Sequence, residues 1–220
     1  MKDEIQQIIN FGYDENFNYD DFYVSKSNKH VFDLLNKWPN WEKNFLNISG
    51  EKFSGKTHLI NIFLKNFDGV KFEADSLNND ILKNIKIYQN IVLENLTNTI
   101  DEKLINTLLN IVDQDNKYIK NTTKKPIVAI SFGLDDLNSR SKNFLLQNIE
   151  KPDDDLIFAL ILKNLSDRQI SLDKKLINYI INRIDRSYSK IFDFIYKIDN
   201  ISLKKKKSID LKIIKDVLGE

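Results

Sequence analysis

At 220 residues, with 30% charged side chains and a formal net charge of +1, the chain is long enough for one α/β domain and a small appendage. That balance excludes the global basic field that would by itself argue for nucleic acid or an anionic membrane, so no strong direct DNA binding is expected. Cysteine is absent, which removes disulfides, thiolate metal sites and cysteine nucleophiles, and no apolar run approaches a membrane span, so a cytoplasmic protein with no membrane partner is expected.

Residues 1–20 read as a polar N-terminal arm. Within it, Gln6, Gln7 and Phe11 bracket aliphatic anchors that suit either a short docking motif or an arm lying on the domain surface. Asp21-Phe22-Tyr23-Val24 leads to Ser27 and Asn28, either of which can cap a helix running through Val31, Leu34 and Leu35. Trp38-Pro39-Asn40-Trp41 ends that helix and reads as a packed corner. Phe45 to Ser49 is a short strand, His58 to Leu64 an apolar helix start, and the stretch Gly50-Glu51-Lys52-Phe53-Ser54-Gly55-Lys56-Thr57 between them fits G-x-x-x-x-G-K-[ST] without a gap. Phosphate chemistry explains the spacing. The loop turns backbone N–H groups inward around the phosphates, Lys56 reaches the terminal ones, and Thr57 ligates Mg²⁺ at a helix N-terminus. Gly50, Ser54, Gly55, Lys56, Thr57 and His58 are therefore the expected nucleotide contacts.

Val70 to Ala74 alternates like a strand, and Ile81 to Ile87 reads as a short helix that Asp80 can cap. Asn90 to Asn95 is an apolar strand ending in Glu94. That acid lies where P-loop ATPases hold a second Mg²⁺ contact, though a buried strand leaving through a polar turn has the same pattern. Ile100 to Tyr118 is expected to be an amphipathic helix, and Pro126 to Ser131 another buried strand, with Ser131 either facing a γ-phosphate or simply closing the strand. Phe144 to Ile149 reads as a last strand. Lys151-Pro152-Asp153-Asp154-Asp155 marks a boundary, beyond which Leu156–Leu165, Lys174–Ile184, Ser187–Ile201 and Leu211–Leu218 are helical. The lysine run 204–207 suits a solvated loop or a phosphate-contacting patch. Alternating strands and helices followed by helices alone predict an α/β fold: a parallel-sheet P-loop base domain over 21–150 with a small C-terminal helical lid over 151–220.

On these residues the chain resembles the AAA+ module of the DnaA initiator family, and more closely its short Hda-type regulators. The resemblance rests on Asp21 to Val24 with Ser27-Asn28, Trp38-Pro39 with Trp41, the loop from Gly50 to Leu59, Leu137 to Arg140, Lys151 to Asp154, Ser166 to Gln169 and Asp185 to Ser187. It implies ADP or ATP with Mg²⁺, Arg140 as an arginine finger reaching a neighbouring subunit's γ-phosphate, and Arg186 as the lid's sensor 2. It further implies a regulator of replication initiation whose partners are the sliding clamp, through the Gln6, Gln7 and Phe11 segment, and ATP-bound DnaA, whose hydrolysis Arg140 would stimulate. A DnaA-related adaptor that tethers another replication protein, and an ATPase acting on DNA as a filament, stay open beside it, as does a homo-oligomer. The sequence stops at the lid without a helix-turn-helix domain, and on that pattern a regulator is expected rather than an initiator. Two departures from the family pattern carry expectations. Lys52 and Phe53 stand where family loops carry small residues, and a bulky side chain at this tight turn is expected to reshape the cradle or force φ into a costly region and so weaken nucleotide binding. Glu94 for the usual Asp, followed by Asn95 and not a second acid, is expected to leave intrinsic hydrolysis weak.

Overall fold

The computed structural model describes residues 19–205 and 209–220, so the Gln6, Gln7 and Phe11 segment and positions 206–207 of the lysine run lie outside the described residues. In chain order the elements are α1 (Lys29–Asn36), β1 (Phe45–Ser49), α2 (Lys56–Asn66), β2 (Val70–Glu73), α3 (Asn79–Asn84), β3 (Asn90–Glu94), α4 (Glu102–Gln114), β4 (Tyr118–Thr123), α5 (Asp135–Ser141) and β5 (Leu145–Asn148). The lid helices α6 (Asp154–Asp167), α7 (Lys174–Ile181), α8 (Tyr188–Lys205) and α9 (Leu211–Leu218) follow. The five strands form one parallel sheet in the order β2-β3-β4-β1-β5.

Helices cover both faces, which is why β3 is buried at every position from Asn90 to Glu94. On one face Leu93, Leu108, Ile119 and Phe144 share a core with α3, α4 and α5. On the other, Leu46, Ile48, Ile60, Phe63 and Val92 pack beneath α1 and α2. The lid has its own core of Ile157, Ile161, Ile180, Ile191, Ile198 and Ile214. Leu156 and Tyr188 leave the lid to join the α1–α2 core, which seats the lid beside β1. Aspartates start the lid helices: Asp153, Asp173 and Asp210 accept from Leu156, Leu176 and Ile213 N–H at 2.9, 2.8 and 2.9 Å. The Trp corner is packed as expected, with Trp38 against Phe63, Phe67 and Tyr118, and Trp41 against Phe63 and Tyr118.

The largest departure from expectation is β4. Its strand is Tyr118-Ile119-Lys120-Asn121-Thr122-Thr123, whereas Pro126 to Ser131 contains only a 3-10 turn at Ile127–Ala129 and leaves Ser131 exposed. Polar residues in the strand conceal it, because Lys120, Asn121 and Thr123 are satisfied by buried partners. Asn47 Nδ2 donates to Asn121 Oδ1 at 2.6 Å and to Thr123 Oγ1 at 2.9 Å, and Asn47 Oδ1 accepts from Ile127 N–H at 2.9 Å. Lys120 is fully buried; its Nζ donates to Asn90 Oδ1 at 2.7 Å and lies 4.2 Å from the Phe63 ring centroid and 4.8 Å from that of Trp41. The helix expected to reach Tyr118 accordingly stops at Gln114. Two cap expectations also change: Asn78 and not Asp80 caps α3, and Asn28 turns its side chain to Ser25 and Tyr23 while α1 starts without a side-chain cap.

Candidate nucleotide site

Both loop glycines are required by the backbone. A Cβ on Gly50 would stand 2.8 Å from Ser54 Oγ and 3.2 Å from Ile149 Cβ; Gly55 has φ 91°, and a Cβ there would meet the Phe22 ring at 3.1 Å. Gly50 N–H donates to Thr123 O at 3.1 Å, which ties the loop's first residue to the end of β4. Helix α2 begins at Lys56, so its first N–H groups face the loop. Lys56 is buried, and its Nζ donates to Gly50 O and Glu51 O at 2.8 Å each. Burial brings its pKa down to about 8, against the pull of the Glu94 and Glu51 carboxylates. Phe53 occupies the left-handed region at φ 68°, one of the two outcomes expected of a bulky residue at this turn. Its ring stacks on Phe192 of α8, with centroids 4.9 Å apart and planes at 30°.

Behind the loop, Thr57 Oγ1 donates to Glu94 Oε1 at 2.7 Å, so the hydroxyl and carboxylate expected to share a metal stand side by side. The other carboxylate oxygen, Oε2, is 3.0 Å from Lys71 Nζ, which also donates to Asn61 Oδ1 at 2.9 Å. Two hard oxygen donors are thus present, but the carboxylate's charge is already met by an ammonium group. The glycine cradle, Lys56 and the α2 N-terminus fit a nucleotide's phosphates. The Thr57, Glu94 and Lys71 group does not fit an ordinary Mg²⁺ site.

The loop is also bonded to the lid. Glu51 accepts from the Ser187 hydroxyl, from Tyr188 N–H at 3.0 Å and from Ser189 N–H at 3.2 Å, and so caps α8 from the base domain. Burial pushes the Glu51 carboxyl up, but the hydrogen bonds from Ser187, Ser189 and Tyr188 outweigh it and hold the group below its usual value. Tyr188 Oη donates to Glu150 O at 3.1 Å, and Lys163 of α6 pairs with Asp21 at 2.9 Å. Arg186, just ahead of α8, pairs with Asp154 at 2.7 Å. Arg140 of α5 spreads its fork over three acceptors: Nε to Asp136 Oδ2 at 3.0 Å, Nη1 to Asp113 Oδ2 at 3.0 Å, and Nη2 to Asn110 Oδ1 at 2.6 Å.

A family model described as "Hda, lid domain" matches residues 153–218. The chromosomal replication initiator protein DnaA of Caldanaerobacter subterraneus subsp. tengcongensis is 24% identical over 230 residues, covering 93% of this chain and 52% of that protein. The chain therefore spans about half the length of the curated relatives it matches. Among solved structures, domain III of the Thermotoga maritima initiator DnaA superposes with a TM-score of 0.73 at 19% identity, covering 93% of this chain and 96% of that one. AMPPCP-bound DnaA from Aquifex aeolicus gives 0.71 at 20%, covering 91% and 69%. Its lid segment thus matches the Hda lid model, and the chain as a whole has the fold of DnaA domain III.

In this chain the sheet brings Gly50, Ser54, Gly55, Lys56, Thr57 and Glu94 together. His58 points its ring edge-on at Phe22, with centroids 5.2 Å apart. Ser131 has left the sheet altogether, and the strand end beside the loop belongs to Thr122 and Thr123. Three neighbours escaped sequence reasoning: Glu51, Phe22 and Lys71. Glu51 occupies an unspecified position of the loop motif, and Phe22 reaches Gly55 only through the fold. Lys71 had one available signal, the strand alternation that puts it on the same face as Glu73, beside the end of β3. No helix of the described residues is long and apolar enough to cross a membrane.

Proposed function

We propose that the chain is a nucleotide-binding regulator of replication initiation that presents Arg140 to the nucleotide held by a DnaA partner. The observation that carries this reading is the setting of Arg140: its partners Asp113, Asp136 and Asn110 lie on α4 and α5, and none belongs to its own P-loop. A guanidinium offered in trans stabilises charge developing on a transferring phosphoryl group, an effect of about 10³–10⁵ in rate where it operates. The chain's own loop would bind ADP or ATP, consistent with the AMPPCP bound by the Aquifex aeolicus relative, and would use it to fix the lid. Gln6, Gln7 and Phe11 would dock on the sliding clamp. The test is ATP hydrolysis by DnaA, measured alone, with this protein, and with this protein and clamp. Stimulation that disappears with Arg140→Ala, while fold and clamp binding persist, is expected. Absence of stimulation by the parent protein overturns the reading.

The filled fork of Arg140 favours a second reading. Two carboxylates and an amide must release it before it can reach a partner's phosphate, which suits an adaptor that tethers a replication protein without activating hydrolysis. That reading predicts a stable complex with the partner and identical hydrolysis with parent and Arg140→Ala.

A further inference from the structure

The acid at the end of β3 is almost wholly shielded: Glu94 is 1% exposed. A carboxylate so placed needs a compensating charge. In a P-loop enzyme that charge comes from a divalent cation shared between this acid, the loop hydroxyl and the phosphates. Here the chain provides it. In β2, Lys71 lies beside Val92 and Glu73 beside Glu94, so Lys71 and Glu94 sit diagonally on one face of adjacent strands and the lysine stem runs along the sheet toward the carboxylate. Its Nζ stands 3.0 Å from Glu94 Oε2 and is anchored on its far side by Asn61 of α2, at 2.9 Å. Thr57 completes the arrangement by donating a hydrogen bond to Oε1, so both carboxylate oxygens are engaged by the chain's own groups. A dication entering between Thr57 and Glu94 would meet a like charge at contact range and would have to displace both bonds. The adjacent Asn95 adds no anion to tip the balance; its Nδ2 donates to Glu73 at 2.8 Å.

We propose that Lys71 replaces the divalent cation at this site, so that the P-loop takes a nucleoside diphosphate without requiring magnesium. The inference rests on the nucleotide-binding reading above and concerns how that same site is charged. The Lys71 ammonium supplies the cationic field behind the β-phosphate, Lys56 supplies the one inside the loop, and Glu94 holds Lys71 in place where it would otherwise hold a metal. A loop charged in this way keeps a diphosphate without arranging a metal-bound water for attack, which agrees with a chain whose work is done on a partner's nucleotide.

The test is calorimetric titration of the full chain with ADP, once in excess MgCl₂ and once in excess EDTA. For the parent protein the two affinities should agree within about threefold, well under the decade that corresponds to about 1.4 kcal/mol. Lys71→Met, which keeps the stem and removes the charge, should bind ADP at least about tenfold more tightly with magnesium than without it. Lys71→Arg should remain insensitive to magnesium, which shows that the effect follows the charge and not a repacked β2. Circular dichroism checks the fold of each variant; if Lys71→Met fails to fold, the parent titration and Lys71→Arg still decide. A parent that requires magnesium for ADP as steeply as Lys71→Met overturns the inference and leaves nucleotide binding intact. Failure of the parent to bind ADP or ATP under either condition overturns the nucleotide reading and the inference with it.

Discussion

The bond between loop and lid makes a quantitative demand on Glu51. Its carboxylate caps the first turn of α8 from the base domain, accepting from Ser187, Tyr188 and Ser189, beside the Ser187 hydroxyl that accepts from Lys190 N–H at 3.4 Å. Hydrogen bonds to a charged acceptor contribute about 1.5–3 kcal/mol net, and a helix N-cap about 0.5–2 kcal/mol. Glu51 is only half-buried, and the three bonds share one carboxylate, so Glu51→Ala should cost the lid contact about 2 kcal/mol as a group. That corresponds to a roughly 30-fold rise in the open population of the lid. Native-state hydrogen exchange reads it. The Ile191 amide donates to Ser187 O at 3.0 Å and Phe192 lies a residue further into α8, neither bonding to Glu51, so their acceleration reports opening of the lid's first turns and not merely the missing acceptor. The same carboxylate predicts a pH dependence. Its folded pKa lies below the unfolded value of about 4.3, so its contribution is complete above that value and is lost as pH falls through the folded one. Exchange at Ile191 and Phe192 should quicken in that acid window in the parent and not in Glu51→Ala. Unchanged exchange in the variant at neutral pH would show that the Phe53–Phe192 stack and the Tyr188 core hold the lid unaided.

Lys56→Ala should weaken ADP binding by an order of magnitude or more, since no other loop cation is buried against the cradle; unaltered affinity by calorimetry would remove the P-loop assignment. Arg186→Ala breaks an exposed pair with Asp154 and should change global stability by no more than about 1 kcal/mol. It should still loosen the nucleotide-bound lid to protease, and identical digestion of variant and parent would exclude a phosphate-sensing role. Burial lowers the Lys120 pKa to about 6, so between about pH 6 and the unfolded value of about 10.4 the unfolded chain binds the extra proton and stability rises with pH. Lys120→Met should flatten that rise in denaturant titrations, and an equally steep rise in the variant would place its origin elsewhere.

What could be read from the amino acids alone followed from local chemistry. The loop between Ser49 and Lys56 carries its own signature, Asn90 to Glu94 has the unbroken apolar run of a doubly covered strand, and Pro152 with the acids after it announces a helix start. A costly φ at Phe53 was legible as one of two outcomes of a bulky side chain at a tight turn. What stayed hidden depends on partners distant in sequence. β4 reads as a polar linker unless Asn47 and Asn90 are known to face it, and the neighbouring Ile127-Val128-Ala129-Ile130 then looks like the better strand. Glu94 was legible as an acid behind the loop, but the ammonium that answers it comes from a different strand. Arg140 and Arg186 could be singled out by family resemblance, yet their present partners, Asp113, Asp136 and Asp154, are set by helix packing.

The amides buried between β1, β3 and β4 bear on alignment. Sliding one parallel strand past its neighbour by two residues preserves the inward and outward alternation of side chains, so hydrocarbon packing alone discriminates poorly against it. Such a slip would move Asn47 off Asn121, its partner in the present register, and break a buried hydrogen bond of 2.6 Å. The wrong alignments are therefore expensive where the correct one is nearly free. Because β1 ends in the loop that leads to Thr57 and β3 ends in Glu94, this indexing of the strands brings hydroxyl and carboxylate to 2.7 Å of each other.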